Sequence, residues 1–562
     1  MSDRILPLPA AISALDPYTQ AFPTLTVEQI DRARPYGKIR PVKVGDIVFE
    51  AGDRHIPMFI VLSGKLDIVQ PRKEGERMIT THLPGAFTGE INMISGRRSL
   101  VRGLVAEAGE FLEISPDNLR TLIAKDAELS EVFMRAFILR RLALVKQGFG
   151  DAVVMGSMHC AATLRLREFL GRNGHPYEFV DLDKDSQSQE LLDQFHVSIE
   201  DVPVLICRGT KVLRHPTLQE VADCLGFNNP VDESQVRDLI VVGAGPSGLG
   251  AAVYAASEGL DVLVIETSAP GGQAGSSSKI ENYLGFPVGI SGAELAMRAI
   301  NQAQKFGAEM MVAHDVVRLH CSQRPYQIEL DNGTKLTTRS IVIATGAQYN
   351  KPEIPNLARF EGVGVYYGAT NMEAQLCERE EVIVVGGGNS AGQAAVYLSG
   401  FATRVHILVR SGQLSDTMSR YLIQRIETHP KISLHLHTEI VGLEGQTHLE
   451  SVQWKDKQTG NVETMPIRHV FMMTGARPNT SWLQDCLAMD NKGFIVTGHD
   501  LQDNGADKPQ WSYPRAPYLL ETSLPGVFAV GDARSGNVKR VASAVGEGSI
   551  SVHLVHRVLA EL

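Results

Sequence analysis

The chain has 562 residues, of which 43% are hydrophobic and 21% are charged. A single core rarely exceeds about 300 residues, so several domains are expected, and the composition excludes a fibrous or disordered protein. The net charge of -10 and the lack of a long Lys/Arg run argue against nucleic-acid binding. No apolar stretch reaches the roughly 20 residues of a membrane helix, and the N-terminus lacks the apolar region of a signal peptide. We therefore predict a cytoplasmic protein without a membrane segment.

The cysteines are scattered along the chain. They stand at positions 160, 207, 224, 321, 377 and 486, with no CxxC and no metal-ligand spacing. Cys207 and Cys224 have no partner visible in the sequence. Neither a disulfide scaffold nor a zinc or other metal site is expected.

The element pattern changes twice along the chain. Residues 42–112 alternate short β-rich runs with glycine turns, which predicts a small antiparallel barrel or roll, and Ser115 with Pro116 then begins a helical segment. Residues 151–225 alternate strands and helices, including a helix over 188–196, and predict a compact α/β unit. After a linker at 228–235, two glycine-rich turns each join a strand to a helix. The fold class is therefore multidomain, with a β-roll, a central α/β domain and two nucleotide-binding lobes.

The first glycine-rich turn has a GxGxxG spacing. Gly243, Gly245 and Gly248 lie between a strand and a helix, and Glu266 ends the next strand. Such glycines permit a tight turn and close approach of a pyrophosphate to the helix N-terminus, while the acid accepts from a ribose hydroxyl. A purely structural strand-helix turn is the alternative.

A second turn repeats this device at Gly386, Gly388 and Ala391. Its second strand ends at Arg410 rather than at an acid, which offers a cation to a ribose 2′-phosphate. The sequence therefore predicts a second dinucleotide and favours NADPH over NADH.

The chain from Asp238 onward resembles the low-molecular-weight thioredoxin reductase family. The motifs GGQ, ENYLGFP, ATGA, TGARPNT and GVFAVGDAR occur in family order, followed by KRVASAVGEGS. The resemblance implies an FAD-binding domain at 236–365 and 483–562, an NAD(P)H-binding domain at 366–482, and a homodimer. It assigns FAD to Gly243, Gly245, Pro246, Ser247, Gly248, Glu266, Gly272, Gln273, Asn282, Thr345, Gly346, Gly531, Asp532, Arg540, Val541 and Ala542, and NAD(P)H to Gly386, Gly388, Asn389, Ser390, Ala391, Arg410 and Gly475.

Two positions depart from that family. Its redox dithiol CATC corresponds here to a segment with Gly368 and Asn371 in place of the cysteines. Its paired arginines for the NADPH phosphate are reduced to Arg410 followed by Ser411, so NADH remains an alternative donor.

Residues 148–228 resemble a glutaredoxin or thioredoxin fold. The pattern LxxxGxxYxxxDLD aligns Cys160 with the first active-site cysteine and Thr163 with the second. The segment VPVLI supplies Val202 and Pro203, which match the family's cis-proline. A helix N-terminus favours the thiolate form of a cysteine, so Cys160 is a candidate nucleophile. The alternative is a small residue that packs at the start of a helix in a domain without redox chemistry.

Residues 1–147 resemble a cyclic-nucleotide-binding domain. Gly89, Glu90, Arg98 and Ser99 match its phosphate cassette, in which the glutamate binds the ribose and the arginine binds the cyclic phosphate. The cassette is shorter than usual and Arg97 competes with Arg98. A roll that serves only for docking is the alternative.

These features lead to one main hypothesis and two alternatives. The main one is a thioredoxin reductase-like enzyme that moves hydride from NAD(P)H to FAD and on to a disulfide, a thioredoxin-like protein or a small redox acceptor, with a cyclic nucleotide as effector. The alternatives are a dithiol-free ferredoxin or flavodoxin reductase or NADPH oxidase, and a non-catalytic redox and cyclic-nucleotide sensor.

Overall fold

The structure is a computed structural model. It describes residues 20–72, 75–90, 92–146, 151–158, 160–183, 201–208, 211–277, 279–369, 371–414, 418–483, 485–501, 511 and 513–561. Within these ranges we find no helix whose length and apolar character would let it span a bilayer.

The N-terminal domain is a β-roll packed against helices. Strands β1 to β7 span Lys38–Val42, Ile47–Phe49, Met58–Val61, Lys65–Arg72, Gly75–His82, Arg102–Glu107 and Gly109–Ile114, and helices α1 to α4 span Val27–Ala33, Asn92–Ser95, Pro116–Lys125 and Ala127–Lys146. The strands form two sheets, ordered β1-β7-β3 and β2-β6-β4-β5. As predicted, Ser115 caps a helix: its hydroxyl accepts from the N–H of Asn118, and Pro116 occupies the first turn.

The middle domain is a mixed sheet flanked by helices. Strands β8 to β11 span Ala152–Gly156, Glu178–Asp181, Val204–Cys207 and Lys211–Arg214, and helices α5 and α6 span Ala161–Arg172 and Leu218–Leu225. The strand order is β11-β10-β8-β9, with β8 and β9 parallel and β10 antiparallel to both its neighbours. The Val202–Pro203 peptide bond is cis. The helix predicted over 188–196 lies outside the described residues.

The structure overturns the expectation that the cysteines have no disulfide partners. Cys207 pairs with Cys224, and Cys321 pairs with Cys486. The first pair joins β10 to α6, because strand and helix pack face to face in one core. The second joins positions that are 165 residues apart, a proximity that no local pattern shows.

The C-terminal part consists of two lobes built on parallel sheets. Strands β12 to β28 span Val236–Val242, Val262–Glu266, Glu309–Val312, Val316–His320, Tyr326–Leu330, Lys335–Ile343, Ala347–Tyr349, Val365–Tyr366, Glu381–Val385, Arg404–Leu408, Ile432–His435, Thr438–Glu444, Ser451–Asp456, Val462–Met465, His469–Met472, Ala476–Pro478 and Val527–Ala529. Helices α7 to α14 span Pro246–Ser257, Gly272–Gly275, Gly292–Lys305, Leu357–Phe360, Asn371–Leu376, Asn389–Leu398, Arg420–Thr428 and Val541–Leu559.

In the first lobe, the sheet runs β14-β13-β12-β17-β16-β15, and β28 pairs with β17. The pairs among β12, β13, β14, β17 and β28 are parallel. Both faces of β12 are buried: Leu239 and Val241 pack on the side of α7 and α14, and Ile240 and Val242 pack in a second core that contains Leu483 and Ile495. Helices α7 and α14 pack against each other. That packing needs glycine: a Cβ on Gly250 would lie 3.0 Å from the carbonyl oxygen of Val545.

In the second lobe, a parallel sheet runs β19-β26-β20-β21-β22 beside an antiparallel sheet β23-β24-β25. Leu357 and Phe360 of α10 pack into its core. Strands β18 and β27 pair with each other. The carboxyl ends of β12 and β20 each lead into a glycine-rich turn, which is the edge where parallel sheets bind ligands.

Candidate functional site

The first glycine-rich turn forms a cradle of bare backbone at the start of α7. Gly243 has φ +102°, and a side chain there would overlap the carbonyl oxygen of Ala344; a side chain on Gly248 would overlap the carbonyl of Gly243. Gly245 differs, because its φ of -70° suits any residue and the nearest atom to its Cβ would be the Cα of Gly272, at 4.0 Å. The space beside Gly245 is therefore open, as the close approach of a pyrophosphate requires.

Glu266 closes one side of this cradle. One carboxylate oxygen accepts from the N–H of Ala244 at 2.8 Å and the other from the N–H of Ser268 at 3.1 Å. Burial raises the pKa of Glu266, and these two N–H groups oppose the rise. The carboxylate is thus held at the edge of the cradle, where a ribose hydroxyl could donate to it.

Asp532 lines the same cavity as this cradle. Burial raises the pKa of its carboxyl, and Lys539 counteracts this effect. The same cavity contains Thr345, whose buried hydroxyl has no hydrogen-bond partner among the residues the structure describes. A buried polar group without a partner is costly, so this hydroxyl fits a site that a polar ligand completes.

The second glycine-rich turn repeats the cradle. Gly386 has φ +143°, and a side chain there would overlap the carbonyl oxygen of Met473. Ala391 is fully buried under the turn, and the side-chain oxygen of Asn389 accepts from the N–H of Ser419 at 2.7 Å. Arg410 is exposed at the cavity edge, at the position predicted for a 2′-phosphate contact.

One continuous cavity of about 1440 Å³ contains both cradles. Most of the predicted cofactor residues line it, namely Gly243, Gly245, Pro246, Ser247, Glu266, Gly272, Gln273, Asn282, Thr345, Gly346, Asp532, Arg540, Val541, Gly386, Gly388, Asn389, Ser390, Arg410 and Gly475. Gly248, Ala391, Gly531 and Ala542 are not among its lining residues. For Gly248 and Ala391 the reason is that they pack beneath the turns.

The cavity also contains residues that the sequence did not single out. Arg172 comes from the middle domain, and Trp482 and Lys539 come from the C-terminal lobes. Lys539 stands at the start of a motif already recognised, so its position could have been inferred. No sequence signal marks Arg172.

Gly368 and Asn371 stand at the two positions that the sequence aligned with the family's dithiol. Gly368 lies near Ser276, with 3.8 Å between its ideal Cβ and that hydroxyl oxygen, and Asn371 begins α11. The neighbouring Cys377 is fully buried and donates to the carbonyl of Glu373, and burial raises its pKa. A buried neutral thiol of this kind is a packing group.

Cys160 lies at the N-cap of α5 and outside the cavity lining. It is partly exposed and makes no side-chain capping hydrogen bond. The following residue, Ala161, packs against Gly362 in the segment that leads into β19. The structure therefore brings Cys160 to the surface between the middle domain and the second lobe.

The predicted nucleotide cassette lies at the junction between the roll and the middle domain. The Glu90 side chain is 13% exposed and lies 3.6 Å from Arg141 of α4; burial raises its pKa, and Arg141 opposes the rise. Both carboxylate oxygens of Glu90 lack a hydrogen bond among the described residues. Gly89 has φ +121°, and the Ser99 hydroxyl donates to the carbonyl of Val101.

The two cassette arginines contact the middle domain. Arg97 donates to the carbonyl of Asn173 at 2.9 Å and lies over the Phe227 ring at 4.8 Å from its centroid. Arg98 lies beside Gly226, with its Nε 2.8 Å from the ideal Cβ position. The arginines thus join the cassette to the C-terminal end of α6 and to the turn after α5.

Residues 237–548 match the model of the pyridine nucleotide-disulphide oxidoreductase family. This chain belongs to that family. Residues 39–126 match the cyclic nucleotide-binding domain model, so an oxidoreductase of this family is joined here to an N-terminal domain of that type.

Individual relatives agree with this assignment. A thioredoxin reductase of Treponema pallidum is 33% identical over 317 residues, 56% of this chain and 95% of the relative. The NADPH-dependent thioredoxin reductase 3 of Arabidopsis thaliana is 28% identical over 368 residues, 62% and 65% of the two chains. Among solved structures, Lactococcus lactis thioredoxin reductase in its FR conformation is 29% identical with a TM-score of 0.52, covering 58% of this chain and all of that one. The oxidoreductase lobes are thus thioredoxin reductase-like in sequence and in fold.

Proposed function

We propose that this protein transfers hydride from NAD(P)H to FAD and passes the electrons on to a disulfide or another redox acceptor. The observation that carries the proposal is the single cavity in which two glycine cradles meet. Because both cradles open into one cavity, a bound hydride donor and a bound flavin can react there without either leaving the protein.

In this proposal FAD occupies the first cradle. Backbone N–H groups at the start of α7 hold the pyrophosphate, Glu266 accepts from the adenosine ribose, and Asp532 accepts from the ribityl chain. The bound flavin supplies the capacity to take a hydride and to release electrons singly or in pairs. The open space at Gly245 and the buried Thr345 hydroxyl support this assignment.

NADPH occupies the second cradle, and Arg410 binds its 2′-phosphate. In Arg410→Ala we expect the KM for NADPH to rise roughly tenfold and the KM for NADH to stay unchanged, because the variant loses one charge-assisted contact with the phosphate. Stopped-flow reduction of the flavin at 450 nm by each donor measures this. Arg404→Ala is the matched control, since Arg404 bonds to Ser433 and does not line the cavity. Equal effects on both donors would contradict the role of Arg410.

An acceptor panel tests the function itself. We expect the NADPH-reduced protein to be reoxidised by thioredoxin or a low-molecular-weight disulfide. Gly368 and Asn371 at the dithiol position favour a second candidate, a ferredoxin or flavodoxin reductase or an oxidase that needs no dithiol. Turnover with ferredoxin or oxygen but none with any disulfide selects that candidate, and a protein without flavin or turnover refutes both.

We also propose that the middle domain is glutaredoxin-like, that Cys160 is its redox thiol, and that the predicted domain boundaries hold. The order of β8, α5, β9, β10, β11 and α6 and the N-cap position of Cys160 support the first two. The third draws support from the family matches, which lie within the predicted limits of the two terminal units.

A cyclic nucleotide is the proposed effector of the N-terminal domain. Glu90 and Arg98 bind it, and it changes flavin reduction if it prefers one interdomain arrangement. We expect isothermal calorimetry with cyclic AMP or cyclic GMP to show one site, and Arg98→Ala to weaken binding at least about tenfold. Arg120→Ala, a surface residue paired with Asp117, is the control. No heat with either nucleotide would mean that the roll serves for docking alone.

A further inference from the structure

A cation from the middle domain reaches the wall of the cofactor cavity. Arg172 is the last residue of α5, the helix that begins after Cys160, and its side chain is 20% exposed. Among the described residues that line the cavity, Arg172 is the one that belongs to the middle domain.

The guanidinium of Arg172 donates hydrogen bonds to backbone carbonyl groups in one loop of the first lobe. Its Nη2 donates to the carbonyl oxygen of Ala269 at 3.0 Å and of Gly272 at 2.9 Å, and lies 3.4 Å from that of Pro270. Its Nη1 lies 3.3 Å from the carboxylate of Glu168 on the same helix. A planar guanidinium can serve several acceptors at once, which a lysine ammonium does less rigidly.

The loop in question forms part of the first cradle. It connects β13, which ends at Glu266, to α8. The N–H of Gly271 donates to the carbonyl of Ala244 at 2.7 Å, and a Cβ on Gly272 would lie 3.0 Å from the Cα of Gly245. Two consecutive glycines with positive φ give the loop little stiffness of its own. A contact from another domain, such as that of Arg172, therefore affects how far this loop lies from Gly245 and so how wide the cradle is.

The charge of Arg172 suits an anionic ligand at this place. Its Nε is buried and has no hydrogen-bond partner in the described part of the chain. The guanidinium also counteracts the rise in the Glu266 pKa that burial causes. A dinucleotide pyrophosphate is anionic, so its binding nearby gains from the same cation.

We propose that Arg172 is a positioning residue for FAD, through which docking of the middle domain and retention of FAD stabilise each other. The inference rests on the proposed function, in which FAD occupies the first cradle. Because coupling between two binding events is reciprocal, bound FAD should also hold the middle domain in place.

The test measures FAD binding by the apoprotein. FAD is removed, and the wild type, Arg172→Ala, Arg172→Lys and Arg165→Ala are titrated with FAD while its fluorescence is followed. We expect the Kd to rise at least about tenfold in Arg172→Ala, less in Arg172→Lys, and not in Arg165→Ala, an exposed position on the same helix. We also expect FAD to protect the middle domain of the wild type from limited proteolysis, and this protection to be lost in Arg172→Ala.

Each outcome decides the proposal. If the Kd of Arg172→Ala for FAD equals that of the wild type, or if FAD protects the two proteins equally from proteolysis, the proposal is overturned while the proposed function stands. If Arg172→Ala does not fold, Arg172→Lys carries the test, and an unchanged Kd there overturns the proposal. A wild type that takes up no FAD overturns this inference and the proposed function together.

Discussion

The substitution Gly245→Val is expected to give a folded protein without FAD. The backbone at Gly245 has a φ of -70°, which valine adopts readily, and its Cβ position faces open space. The added methyl groups would instead occupy the space that the pyrophosphate needs against the start of α7. We expect FAD affinity to fall at least about 100-fold, or ~2.7 kcal/mol. The ratio of absorbance at 450 and 280 nm and an FAD titration measure the loss.

Two further glycines make this prediction specific. Gly171→Val is the control, because no heavy atom lies within 4 Å of its Cβ position and it does not line the cavity. Gly243→Val should lose both FAD and folding stability, because Gly243 has a positive φ and its side chain would overlap Ala344. A Gly245→Val protein with normal flavin content would show that this turn does not hold the cofactor.

The substitution Cys160→Ser is expected to abolish disulfide reduction and leave the reduction of ferricyanide unchanged. Cys160 is partly exposed at the N-cap of a helix of 12 residues, so a disulfide substrate can reach its thiol. Serine keeps the shape but cannot exchange with a disulfide. NADPH oxidation with each acceptor, divided by flavin content, separates the two steps.

The buried Cys377 gives a matched control for Cys160. Its substitution by alanine removes a thiol in a packed site, so stability should fall by about 1 kcal/mol while disulfide reduction per flavin stays unchanged. Unchanged disulfide reduction in Cys160→Ser would exclude Cys160 and direct attention to a flavin that reacts with its acceptor without this thiol.

The sequence by itself determined both glycine-rich turns. Gly243 and Gly386 are required by local backbone geometry, since their φ values of +102° and +143° lie where residues with a side chain are strained. Glu266 ends the neighbouring strand, so parallel pairing with β12 brings it to the cradle. These requirements involve only a few consecutive elements of the chain, a strand, a turn and a helix. A short motif in the sequence is therefore enough to show them.

Only the tertiary structure decided which distant side chains meet. Arg172 reaches the loop at 269–272, Arg97 reaches Asn173, and Cys321 reaches Cys486 across domains or across long stretches of chain. Long side chains and thiols place no demand on the backbone around them, so no spacing or periodicity marks their partners. Their contacts follow from how whole elements pack, and packing depends on all the faces that are buried together.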